Sequence, residues 1–201
     1  MRRIVERELV GRELVSVDLR LPKLLRDSPL PNLEPLLGQR VLAARRRAKI
    51  LTSDWTGDLS LMTHFKLAGQ LAVVRPDGRR AVAGHPVPNP TDPYPHKVTH
   101  VIFGFADGTW LYHSDVRQFG WLRLMPTADV EEALAVFRFG PEGIGPDAIT
   151  PAALAERLSR RRISLKLALL DQSVVAGLGN IYVDEALHHA RLHPLLSLIH
   201  I

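Results

Sequence analysis

Apolar and polar positions change rhythm along the chain, and the rhythm divides it into an alternating half and a helical half. Residues 2 to 10 place Ile4, Val5 and Leu9 on one helical face, with Arg2, Arg3, Glu6, Arg7 and Glu8 left to water, and Gly11 ends the turn. From Leu14 the period is two: Val15, Val17 and Leu19 alternate, and a polar loop with Pro22, Pro29 and Pro31 follows. A helical turn over Asn32 to Leu37 closes at Gly38, and Gln39 to Ala44 is the next strand. The run Arg45-Arg46-Arg47-Ala48-Lys49 then joins a strand that resumes at Ile50-Leu51-Thr52. Leu59 to Val74 reads as strands flanking a turn at Lys66-Leu67-Ala68-Gly69. Residues 75 to 98 hold six prolines between Pro76 and Pro95 and read as loop with no packed strand. Thr99 to Leu124 is a hairpin: Val101, Phe103 and Phe105 alternate, Asp107-Gly108 turns, and Trp110 to His113 returns.

Beyond Asp129 the period lengthens. Asp129 to Phe137 reads as helix, and Phe139 to Pro146 is Gly- and Pro-rich, as a linker is. Thr150 caps a helix with Pro151 in its first position and Leu154 and Leu158 on one face. A second helix covers Ile163 to Gln172, with Leu165, Leu169 and Leu170 inward and Lys166 outward. The third runs from Asn180 to Ala190.

Composition changes this picture little. The 201 residues are 46% hydrophobic and 23% charged, as in an ordinary folded protein. The net charge of +5 and a pI near 10 favour a polyanionic partner. There is no cysteine, hence neither a disulfide framework nor a thiolate metal site. No apolar run spans a membrane and the N-terminus lacks a signal-peptide core, so the expected location is cytoplasmic.

Four stretches carry candidate chemistry. The first is Val175 to Ala190, where Gly177 and Gly179 make a tight loop before a helix and Asn180 stands where it could cap it. Unpaired amides and the helix dipole make such a start a place for phosphate, and Arg160, Arg161, Arg162 and Lys166 lie upstream. The structural alternative is a glycine loop joining two packed helices. The second is the cluster at residues 45 to 49, either a solvated edge or a phosphate contact with Lys49 aimed inward. The third is the turn after His64, where Leu67 is an apolar residue at a polar tip that needs burial or a ligand. The fourth is Asp115-Val116-Arg117-Gln118-Phe119-Gly120, which can set a guanidinium beside a ring to fill the gap left by an extruded base. The plainer readings are a structural His64, a core Phe119 and a surface Arg117.

Together, R-R-R-A-K at 45 to 49, H-F-K-L-A-G-Q-L at 64 to 71, D-V-R-Q-F-G at 115 to 120 and the run from Arg160 to Leu187 resemble the formamidopyrimidine-DNA glycosylase / endonuclease VIII family. The resemblance covers Arg2 to about Leu195. It implies an α+β fold: an N-terminal two-layered β-sandwich over 1 to 126, a linker over 127 to 149, and a helix–two-turn–helix domain over 150 to 195, followed by a non-family tail over 196 to 201. The implied activity is a bifunctional DNA glycosylase/AP lyase that removes oxidised bases such as 8-oxoguanine and formamidopyrimidine, with damaged double-stranded DNA as partner, held in a cleft by a monomer. Lys49 is implied as proton donor in β-elimination. His64, Arg161, Lys166 and Asn180 are implied as grips on the DNA backbone, and Leu67, Arg117 and Phe119 as void-filling residues, with Arg117 facing the orphaned base.

Departures accompany the matches. The family opens P-E-L-P-E-V-E-T-V-R-R, and here Met1 stands on the valine, so the proline nucleophile and its glutamate are absent. The cysteines of the family's zinc finger are absent too, so no cofactor is expected in these residues. Val98 replaces a histidine common in the family. The expectation is a truncated enzyme, inactive as written. The alternatives are a non-catalytic DNA- or lesion-binding module and a basic RNA-binding protein.

Overall fold

A computed structural model describes residues 1–198, and among these it shows nine strands and five α-helices. Cα packing divides the chain into two compact units that meet between Val130 and Glu131. In the first unit a helix, α1 (Arg2–Leu9), precedes nine strands: β1 (Leu14–Leu19), β2 (Val41–Arg47), β3 (Ile50–Trp55), β4 (Leu59–His64), β5 (Gly69–Val74), β6 (Arg80–Gly84), β7 (Thr99–Phe105), β8 (Trp110–Asp115) and β9 (Trp121–Pro126). They form two antiparallel sheets, ordered β1-β7-β8-β5-β6 and β2-β3-β4-β9.

Alternation sorts the side chains between two apolar clusters. Val101, Phe103, Phe105 and Leu111 join Leu51, Trp55, Leu61, Leu122 and Leu124 in the main core of this unit. Ile102 and Tyr112 point the other way and bury against Ala72 in a smaller cluster. That second face is dry because the proline-rich loop covers it: Tyr94 stacks on Tyr112 with ring centroids 5.0 Å apart. The Tyr94 hydroxyl donates to Gln70 Oε1 at 2.9 Å, and Gln70 Nε2 donates to the carbonyls of His85 and Pro88, each at 2.8 Å.

Several expectations change here. The segment from 75 to 98 is not all loop: Arg80–Gly84 pairs with β5 as an edge strand, a place where flanking prolines cost no ladder bond. The segment from Thr99 to Leu124 is a hairpin only as far as Asp115. β9 belongs to the other sheet and pairs with β4. Likewise β4 and β5 are consecutive but lie in different sheets, so 65–68 is a crossover and not a hairpin turn. Glu8 is buried among α1's inner residues, not wet. It accepts from Arg7 Nε at 2.6 Å and from Arg75 Nε at 2.7 Å. Burial opposes its charge, but the two guanidinium bonds outweigh that and hold its pKa below the usual glutamate value.

The second unit is helical. After α2 (Val130–Ala135), which begins at the boundary, come α3 (Pro151–Ser159), α4 (Leu165–Leu170) and α5 (Asn180–His189). Thr150 Oγ1 accepts from the Ala153 amide at 3.2 Å, with Pro151 in the first turn. Leu165, Ala168, Leu169, Val174, Val175, Val183, Leu187 and Leu198 form the core. The stretch expected to be a free linker docks on this unit: the Gly140 amide donates to the Gln172 carbonyl at 2.8 Å and the Gly143 amide to that of Ala176 at 3.0 Å. A Cβ on Gly140 would lie 2.4 Å from the Ser173 carbonyl oxygen, so only glycine allows the approach. The start of the expected foreign tail is also part of the fold. Leu196 accepts from the Leu165 amide at 2.8 Å, and Leu198 is buried. Ile199 to Ile201 lie outside the described residues. Among the described residues no helix is long and apolar enough to cross a membrane.

Candidate nucleic-acid interface

Strand register brings three connections to one end of the sandwich. Ile50, the first residue of β3, pairs with His64, the last of β4, and His64 pairs with Trp121, the first of β9. Gly69, the first residue of β5, pairs with Asp115, the last of β8. The β2–β3 turn and both sheet-to-sheet crossovers therefore leave from the same edge. They carry Lys49, then His64 and Leu67, then Arg117 and Phe119.

Each connection is fixed by its own chemistry. Gly69 packs on the first crossover, where a Cβ would lie 2.7 Å from the Phe65 carbonyl oxygen. The second crossover is organised by Asp115, which is fully buried and accepts from the Arg117 amide at 3.0 Å and the Gly120 amide at 2.8 Å. Arg26 Nη2 donates to the Phe119 carbonyl at 2.9 Å. A Cβ on Gly120 would lie 3.0 Å from the His64 carbonyl oxygen, so the two crossovers touch backbone to backbone.

Lys49 does not point inward as expected; it lies exposed on the turn, beside Ala48 at φ +51°. Surrounding bulk still removes part of its hydration and Lys66 repels it, so its pKa is lowered. His64 is half-buried. Its Nδ1 accepts from the Lys66 amide at 2.9 Å, which leaves Nε2 to carry the ring proton. Desolvation first, then Lys66 and Lys49, bring its pKa to about 4, so it is a neutral donor at pH 7. Leu67 is 63% exposed and Phe119 47%, against the ordinary burial of such residues. Phe119 is thus not core. The Arg117 guanidinium sits 4.8 Å from the Phe119 ring centroid, a cation–π contact. The result is a rim of cations around protruding apolar tips.

In the second unit the sequence-selected residues cluster around the loop between α4 and α5. Arg161 Nη2 reaches Ser173 Oγ at 3.1 Å and Asp171 Oδ2 at 3.3 Å, and Lys166 Nζ lies 2.7 Å from Asp184 Oδ1. Asn180 does not cap the helix. Gly179 is the N-cap, with no side-chain bond, and Asn180 is the first helical residue with its side chain exposed. The amides of that first turn lack intrahelical acceptors by geometry, so an anion can still be held there. Gln172 braces the loop: it donates to the carbonyls of Leu170 at 3.0 Å and Leu178 at 2.9 Å and accepts from the Gly177 amide at 3.0 Å.

The comparisons with known proteins agree in both units. The formamidopyrimidine-DNA glycosylase N-terminal domain matches residues 1–122, and the formamidopyrimidine-DNA glycosylase H2TH domain matches residues 139–197. The chain belongs to the formamidopyrimidine-DNA glycosylase family. It is similar to the formamidopyrimidine-DNA glycosylase of Methylobacterium sp. (strain 4-46), 41% identical over 194 residues that make up 96% of this chain and 65% of that protein. The enzyme of the same name from Heliobacterium modesticaldum is 38% identical over 198 residues, 96% of this chain and 66% of its own. The chain thus spans about two thirds of the length of these curated relatives. Among solved structures, the Lactococcus lactis Fpg bound to DNA with an abasic site superposes with a TM-score of 0.82 at 29% identity, over 98% of this chain and 66% of that one. The same protein bound to DNA containing FAPY-dG gives 0.81 at 29%, over 98% and 68%.

Sequence motifs missed the residues that hold these family loops in place. Asp115, fully buried, and Gln172, half-buried, supply acceptors to backbone amides, and an Asp or Gln a few residues before a glycine is the one local signal they leave. The sequence has no cysteine, and among the described residues no group of three His, Asp or Glu side chains is arranged to hold a metal ion.

Proposed function

We propose that the chain supplies the DNA-gripping and void-filling parts of a base-excision-repair glycosylase/AP lyase for oxidised bases such as 8-oxoguanine and formamidopyrimidine in duplex DNA. The observation that carries this is the convergence of Lys49, His64, Leu67, Arg117 and Phe119 at one end of the sandwich, with the two large apolar side chains left in water. Exposed Leu67 and Phe119 are stabilised when they enter a base stack, and Arg117, over the Phe119 ring, is placed to meet an unpaired base. The DNA-bound solved relatives support the partner assignment. Lys49 takes the acid's part in β-elimination. Its lowered pKa makes it a readier proton donor near neutral pH than a solvated lysine. In the second unit, Arg161, Lys166 and the exposed start of α5 at Asn180 take phosphates.

The test separates gripping from void-filling. Binding of the chain to undamaged duplex and to duplex with an 8-oxoguanine or abasic site is measured by fluorescence anisotropy. Lys166→Glu should weaken both to a similar extent, because a phosphate contact carries no lesion information. Arg117→Ala should weaken lesion duplex by about tenfold more than undamaged duplex, the loss of roughly one stacked or bidentate contact. If the two variants lose affinity in the same pattern, the division of roles is wrong.

A further inference from the structure

The first crossover contains a residue that the turn itself disfavours. Lys66 adopts φ +49°, the left-handed region that glycine enters freely and a side chain resists. The position is exposed, so packing does not demand the lysine. Its backbone amide, which any residue would supply, makes the bond to His64 Nδ1 at 2.9 Å. What lysine alone adds is a charge, set beside two other basic groups. Lys66 follows the end of β4 just where Lys49 precedes the start of β3, and both face His64's end of the sheet. Neither ammonium has a carboxylate partner among the described residues, whereas Arg45, Arg161 and Lys166 pair with Asp54, Asp171 and Asp184. Burial is the larger cause, and the Lys66 charge adds to it in lowering the pKa of both Lys49 and His64.

An anion arriving at this exposed site relieves the like-charge crowding, while the left-handed backbone at Lys66 stays as it is. We propose that Lys66 joins Lys49 and the Nε2–H of neutral His64 in a cradle for one DNA backbone phosphate, so that the first crossover grips the strand beside the point where Leu67 enters it. This rests on the DNA-binding reading above. The partner is a phosphodiester and not a free anion, because the apolar tips of Leu67 and Phe119 flank the cradle and suit a base stack.

Two variants test it. Lys66→Gly removes the charge and the strain, and Lys66→Gln removes the charge but keeps a side chain in the strained turn. Both should bind duplex DNA about threefold to tenfold more weakly at low salt, with the slope of log K against log salt reduced by roughly 0.9. Lys66→Gly should at the same time unfold at an equal or higher urea concentration than the parent. Histidine NMR should show the His64 titration moving upward in both. A normal slope and affinity in both variants, with Lys49→Gln weakened, would make Lys66 a turn residue only. If inorganic phosphate shifts the His64 resonances and duplex does not, the cradle is a free-anion site and the inference fails while other DNA contacts stand. Should the parent chain not bind duplex at low salt, the DNA reading falls and this inference with it.

Discussion

His113 is enclosed in the sandwich, yet neither ring nitrogen has a hydrogen-bond partner among the described residues. It borders a cavity of about 30 Å³ walled by Phe65, Leu71, Phe103 and Leu122. Desolvation dominates its titration, with His100 lowering and Asp115 raising it, and its pKa falls to about 4. An unfolded histidine titrates near 6.5. Between those values the unfolded chain binds more protons at this ring than the folded chain, so stability falls as pH drops through that window and is level above it. His64 lies in the same window with the same sign. His113→Leu should therefore flatten the decline of the unfolding free energy between about pH 7 and pH 5, by near 2 kcal/mol at pH 5, and leave the His64 share in place. An unchanged pH profile would show that the ring is reached by water in the folded state.

The crossovers, not the strands, carry the candidate chemistry, and the second depends on one carboxylate. Asp115→Asn keeps the shape but turns an acceptor for the Gly120 or Arg117 amide into a donor facing it. The loss should be about 2 kcal/mol in unfolding free energy. Arg117 and Phe119 would lose their fixed geometry, so preference for lesion duplex should fall while binding to undamaged duplex changes little. An Asp115→Asn chain that keeps both stability and lesion preference would move the organising role elsewhere. These elements also show what could be read from the sequence. Period-two alternation located β1, β2, β3, β7 and β8, and the Thr150-Pro151 start of α3, because those signals are local. Edge strand β6 escaped because prolines on both sides outweigh its short pattern, and its pairing with β5 is long-range. The switch of sheet at 65–68 and 116–120 escaped for the same reason: the strands on either side are correctly placed, but their partners lie tens of residues away. Asn180 failed as a cap because the extended residue is Gly179, at φ −135° and ψ 178°, one step earlier. Glu8 was read as wet because Arg75, its main tether from outside the helix, sits 67 residues on. The site motifs themselves are legible, since R-R-R-A-K, H-F-K-L-A-G and D-V-R-Q-F-G each run from a strand end into the connection that follows it.

At the scale of the whole chain, two units with separate cores should report separately on unfolding. All three tryptophans, Trp55, Trp110 and Trp121, lie in the first unit. Helices α3, α4 and α5 and most of α2 lie in the second. Tryptophan fluorescence therefore follows the sandwich, and far-UV circular dichroism at the helical minimum follows mainly the helical unit. The second core is smaller, eight buried residues from Leu165 to Leu198, and a small core leaves less stability after chain entropy. The circular dichroism transition should fall at lower urea than the fluorescence transition, a departure from two-state behaviour that comparing the probes detects. Core truncations assign the phases. Leu169→Ala should lower the unfolding free energy read by circular dichroism by about 2–4 kcal/mol and leave the fluorescence curve in place, and Leu124→Ala should do the reverse. If the two probes superimpose in the parent and each truncation shifts both curves together, the units unfold as one, and DNA contacts in the sandwich and the helices would be thermodynamically linked through stability as well as through the strand they hold.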